Sequence, residues 1–122
     1  MMPLRTQRLD DGRRVLLADF SVEVYGMVIN VPAGTETDYS SIPSLASWIV
    51  RWSKVDIAGV VHDWLYRYPL DLTRKEIDHI WYLLALQGGA TETQARLCYL
   101  GLRIGGWKPW LRLRQGGPHY KE

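Results

Sequence analysis

At 122 residues the chain is expected to form one domain with a modest core, and its 47% hydrophobic and 23% charged residues suit an ordinary folded protein. No apolar run nears the ~20 residues of a membrane-spanning helix, and the polar residues 1–10 lack the apolar centre of a secretory signal. A formal charge of +2 is too small to point to nucleic acid, and the single cysteine, Cys98, excludes an internal disulfide framework.

In chain order, residues 13–18 and 20–25 carry β-branched and aromatic residues in partial alternation, and residues 27–31 give another short strand. Asp11-Gly12 is a hairpin dipeptide joining an N-terminal strand to the next, and Gly26 marks the turn between the last two. The expectation is a small antiparallel sheet of three or four strands within residues 1–31. Residues 32–43 follow as an irregular loop, marked by two prolines, a glycine and a cluster of hydroxyl and acid side chains. Such loops carry function more often than the elements they join, which makes Asp38 a site candidate. The plainer role for Asp38 is to cap a turn.

Apolar residues at 45, 48, 49 and 52 predict a short helix over residues 44–52, and those at 57, 60, 61, 64 and 65 predict a second over 54–66. Thr73-Arg74-Lys75-Glu76 is a capping box, which starts a helix at 74 that runs to 87 and stops at Gly88-Gly89. Thr91-Glu92-Thr93-Gln94 is a second box, opening a helix that closes at Gly105-Gly106. Cys98 falls on its apolar pattern and reads as a core residue. The tail, residues 107–122, is basic and aromatic. It could lie on an anionic membrane, bind a partner or fold back over the core, and the last reading is preferred. His119 sits in a Gly-Pro context and reads as inert.

The chemistry concentrates in the two middle helices. His62 and Tyr66 are four apart and share one helix face, whereas Asp63 points about 100° away. Pro69 lies in a connection short enough to make the two helices an antiparallel hairpin, which would bring Asp78 against His62 and Tyr66. A carboxylate on one ring nitrogen fixes a histidine's tautomer and supports an imidazolium, as a general base requires. Tyr66 could donate to the same carboxylate. Asp63 would be left to bind a hard cation through oxygen, completed by backbone carbonyls or Asp38 from the loop. The plainer alternative is a buried His–Asp–Tyr network that only locks two helices together. Zinc could use His62, Asp63, Asp78 and His79, but neighbouring helical residues splay too far apart to share one ion.

Several separated motifs occur together in order: Val31-Pro32-Ala33-Gly34, Thr37-Asp38-Tyr39-Ser40-Ser41-Ile42-Pro43, His62-Asp63-Trp64-Leu65-Tyr66, Arg74-Lys75-Glu76-Ile77-Asp78 and Gly105-Gly106-Trp107. Through them the chain resembles, over nearly its whole length, the phage-associated domain-of-unknown-function family 1353. That resemblance implies a gene of phage or prophage origin, with a product in the virion or the host cytoplasm, and supplies no activity. His62, Asp63 and Tyr66 also match the His-Asp-x-x-Tyr helix of the secreted calcium-dependent phospholipases, and Asp78 with Trp81 matches their partner helix. This second similarity implies His62 as the base activating a water, Asp78 orienting it, Tyr66 bonding Asp78, and Asp63 binding calcium. It comes without disulfides and without the glycine-rich calcium loop, so Asp38 would stand in.

The sequence therefore leads to an α+β fold in a single domain, 1–122: a β part at 1–31, a functional loop at 32–43, a helical core at 44–106 and the tail at 107–122. Two functions follow. One is a phage protein with a phospholipase-like His–Asp site, hydrolysing esters of host envelope lipids as the phage enters or lyses the cell. The other is a non-catalytic virion or tail component with a buried polar network. Its partners would be host membrane lipid or other phage proteins; nucleic acid is not indicated.

Overall fold

The computed structural model describes residues 6–8, 14–37 and 56–115. The expected helix at 44–52, the Asp11-Gly12 dipeptide, Asp38 and His119 lie outside the described residues. The chain divides into two compact units, residues 1–39 and 40–122. An antiparallel β part is followed by four described helices, the α+β class expected.

Among the described residues the first unit holds five strands: β1 (Thr6–Arg8), β2 (Arg14–Leu16), β3 (Phe20–Val24), β4 (Met27–Val31) and β5 (Glu36–Thr37). They form two sheets rather than the one expected, β1-β2-β5 and the hairpin β3-β4, all antiparallel. The β3-β4 hairpin follows directly from alternation. Phe20 pairs with Val31 and Val22 with Ile29, all buried, while Ser21 faces Asn30 and Glu23 faces Val28 on the other side. Its turn puts Tyr25 at φ 59° and Gly26 at φ 72°, the two left-handed residues that a two-residue hairpin matching the strand twist requires. Glycine takes this conformation freely and tyrosine does not.

The loop expected at 32–43 begins as a tight turn, Thr35 N–H donating to Pro32 O at 3.2 Å, and then returns to the sheet as β5. Leu16 and Thr35 exchange chain contacts around this point: Leu16 N–H donates to Thr35 O at 2.9 Å and Gly34 N–H to Leu16 O at 2.8 Å. Asp19 holds the turn as well, accepting from Ala33 N–H at 2.8 Å. Two residues carry too little pattern to announce a strand, so β5 is set by its partner and not by its own sequence.

The second unit contains α1 (Asp56–Arg67), α2 (Arg74–Gln87), α3 (Glu92–Gly105) and α4 (Trp107–Gln115). Val60, Val61 and Leu65 of α1 are fully buried, as are Ile77, Ile80 and Ala85 of α2, so the two apolar faces form the core of an antiparallel hairpin. Both capping boxes form as read: Thr73 with Glu76 starts α2, and Thr91 with Gln94 starts α3. Cys98 is buried on α3, where burial pushes its thiol up to about 11. Leu70, in the link between α1 and α2, takes a left-handed φ of 58°, an uncommon conformation for leucine.

Residues 107–115 of the tail form α4, a helix the sequence did not announce because Pro109 lies in its first turn. Proline is tolerated there, since its missing N–H costs no intrahelical bond in the opening turn. It also accounts for the irregularity at Gly106, where α3 passes into α4 with the backbone still close to helical, since its ring opposes the carbonyl four residues back, Gly105. Trp110 sets its ring edge-on against Tyr66, with centroids 5.3 Å apart, so one side of the tail does fold over the helical core.

Candidate functional site

His62 and Tyr66, one turn apart on α1, present their rings to the same side with centroids 4.2 Å apart. The hairpin brings Asp78, in the second turn of α2, to meet them. His62 Nε2 lies 2.8 Å from Asp78 Oδ1, and Tyr66 Oη donates to that same oxygen at 2.7 Å. The second carboxylate oxygen is equally occupied. Arg103 Nη1, from the last turn of α3, donates to Oδ2 at 2.8 Å, and Arg74 Nη1, one turn before Asp78, donates at 3.3 Å. Arg74 also bonds the closing carbonyls of α3, reaching Leu102 O at 3.0 Å and Arg103 O at 3.2 Å. Its charge thus serves a helix C-terminus and a buried acid together.

One carboxylate therefore gathers donors from three helices. The fourth helix joins through Tyr66: Arg114 donates to the Tyr66 carbonyl and stacks on Trp110, 4.0 Å from the ring centroid. Gly106, between α3 and α4, closes the cluster. A side chain there would meet Tyr66 Oη and Leu102 O at 2.5 Å and Arg74 Nη1 at 2.9 Å, so only glycine allows this approach.

Burial alone would raise the carboxyl of Asp78, but hydrogen bonding and charge from His62, with the Tyr66 and Arg103 donors, outweigh it and hold Asp78 below the usual carboxylate range. Burial, then the Asp78 charge and hydrogen bond, push the Tyr66 phenol up, so it remains a donor. An ionised carboxylate only accepts, which places a proton on Nε2 of His62. His62 and Asp78 are both 0% exposed and Tyr66 is buried with them. In this arrangement the cluster orients a histidine and neutralises a buried acid, and the His62 ring is fully buried.

The expected trio is thus brought together as read. Asp63 lies on the same helix and is buried. Calcium takes six to eight oxygen ligands. Among the described residues no three His, Cys, Asp or Glu side chains group as metal ligands, and Asp38 falls outside that set. His79 instead lies among aromatics, stacked on Tyr82 at 5.7 Å and edge-on to Tyr99 at 6.1 Å, where the zinc alternative had placed it as a ligand. Arg74, Arg103 and Gly106 are the residues that sequence reasoning missed. Arg74 could have been found from its spacing of four to Asp78. Arg103 is 25 residues away and carries no local signal.

Fold and site together define a small α+β protein whose helical unit is centred on a buried, fully bonded carboxylate. The chain belongs to the family described as Protein of unknown function (DUF1353), whose sequence model matches residues 15–102. That span includes every member of the cluster except Gly106, Trp110, Arg114 and Arg103. No curated protein matches the chain, and no solved structure does.

Proposed function

We propose that the chain is a non-catalytic phage component, of the virion or tail, in which the Asp78 cluster fixes the helical unit in one arrangement. The observation that supports this reading is the saturation of Asp78 by four side-chain donors around a histidine of zero exposure. A general base has to reach the proton that it abstracts. The phage assignment rests on the resemblance of the separated motifs to a phage-associated family.

A second reading, a calcium-dependent hydrolase of envelope phospholipids, is favoured by the 2.8 Å and 2.7 Å bonds that join His62 and Tyr66 to Asp78. There His62 is the base, Asp78 and Tyr66 position it, and Asp63 with Asp38 hold the ion. Hydrolysis of phospholipid vesicles, measured with calcium and with a chelator, separates the two. The structural reading expects no hydrolysis in either condition, and a loss of about 3–5 kcal/mol of stability in His62→Ala. Calcium-dependent hydrolysis that disappears in a folded His62→Ala protein would overturn it. Mass spectrometry of purified particles tests the virion assignment separately.

A further inference from the structure

The outer side of α3 and α4 goes beyond that reading. Leu97, Leu100, Ile104, Trp107 and Leu111 are all exposed large apolar residues, Ile104 to 77%. Their spacing is three, four, three and four. The helical path continues through the junction: Gly106 has φ −74° and ψ −13°, its N–H donates to Leu102 O at 2.7 Å, and Trp110 N–H donates to Gly106 O at 3.1 Å. At 100° per residue the five side chains fall within roughly 80° of arc, opposite the buried Ala95, Cys98, Leu102 and Gly106.

Charge on these helices is mainly basic: Glu92, the first residue of α3, pairs with Arg96 at 2.6 Å and Arg103 pairs with Asp78 at 2.8 Å, which leaves Lys108 and Arg112 as the exposed cations beside the stripe. From residue 93 to 115 the sequence has no Asp or Glu, and it has five cations: Arg96, Arg103, Lys108, Arg112 and Arg114. Against a whole-chain charge of +2, from 15 basic and 13 acidic residues, this stretch carries +5 and the remainder −3. Exposed Lys108 and Arg112 flank the apolar stripe on one edge and Arg96, paired with Glu92, borders the other. Lys108 Nζ stands 5.6 Å from the Trp107 ring centroid, so a cation and an amphipathic ring share the same edge.

We infer that this face is a docking surface for an anionic lipid bilayer, lying in the headgroup plane with the five apolar side chains inserted. A convex apolar stripe edged by cations and a tryptophan suits that interface. None of the five apolar side chains belongs to the Asp78 cluster; Arg103, on the same helix, bonds Asp78 on the inner side.

Co-sedimentation of the whole protein with vesicles tests this. It is expected to pellet with phosphatidylglycerol-rich vesicles, to stay in solution with phosphatidylcholine vesicles, and to be released by high salt. Ile104→Asp is expected to weaken binding roughly tenfold. Lys108→Ala and Arg112→Ala are each expected to weaken it about fivefold. All three positions are exposed, and unchanged circular dichroism and melting would show that the variants fold. Absence of binding to phosphatidylglycerol would overturn the assignment, as would equal binding to both lipids or indifference to all three variants. Poly-glutamate bound as tightly as the anionic vesicles would overturn it too, indicating an acidic protein partner. So would a dimer in sedimentation velocity that Ile104→Asp dissolves.

Discussion

The two units solve the same problem with opposite means. In the β unit, Phe20, Val22, Ile29 and Val31 are buried by simple alternation, and nothing charged is needed at their centre. The helical unit has an equally apolar surround, yet places an ionised aspartate in its middle and spends two arginines, a histidine and a tyrosine on satisfying it. Apolar burial is graded and tolerant of small changes, whereas a buried charge is all or nothing. Removing one partner exposes the others to the full cost of desolvation. The contrast teaches that the helical unit should be the brittle one, and substitutions can break or sharpen that difference.

The largest effect is expected for Asp78→Ala. It leaves Arg74, Arg103, His62 and Tyr66 facing an emptied centre, and urea unfolding should report a loss of about 3–5 kcal/mol. Ile29→Ala in the β unit should cost a comparable or smaller amount, about 2–4 kcal/mol, through cavity formation alone. The two differ in their response to added volume. Asp78→Leu should recover little, because the arginines stay unpaired, whereas Ile29→Leu should recover most of the loss. Gly106→Ala comes next, at about 1–3 kcal/mol, since its methyl would press on Tyr66 Oη and Leu102 O. Thermal melts would check it.

Acid should also act on the cluster. The folded pKa of Asp78 lies below its ordinary value of 3.8, so the unfolded chain binds the proton first as pH falls. The stability that Asp78 contributes is complete above about pH 5 and is lost as pH drops through 3.8 towards the lower folded value. Urea midpoints measured from pH 6 down to about pH 2 should show this limb, flattened in Asp78→Asn. The smallest effect is a gain. Leu70, exposed and left-handed, should be improved by Leu70→Asn by about 0.5–1 kcal/mol, because asparagine takes that conformation at less cost.

How much of this was legible in the sequence depended on range. The two capping boxes, the helix hairpin and the meeting of His62, Tyr66 and Asp78 all follow from spacings of three and four and from one short link. The β3-β4 hairpin follows from alternation across a two-residue turn. The division into two sheets did not, because β5 is two residues long and its partner lies some 20 residues earlier. Arg103 was invisible for the same reason: a long side chain from the end of one helix reaches an acid on another. Pro109 concealed α4 by resembling a stop where it is an allowed start. Asp38, the loop candidate, lies outside the described residues.

The central claim is that His62 is held, proton on Nε2, against an ionised Asp78 that solvent does not reach. Nitrogen-15 NMR of the His62 ring tests it most directly. The account expects a proton on Nε2 that exchanges far more slowly than that of a free imidazole, and that speeds up in Asp78→Asn while the fold persists. A His62 ring that is bare at Nε2, or whose proton exchanges at the rate of an exposed histidine, would contradict it.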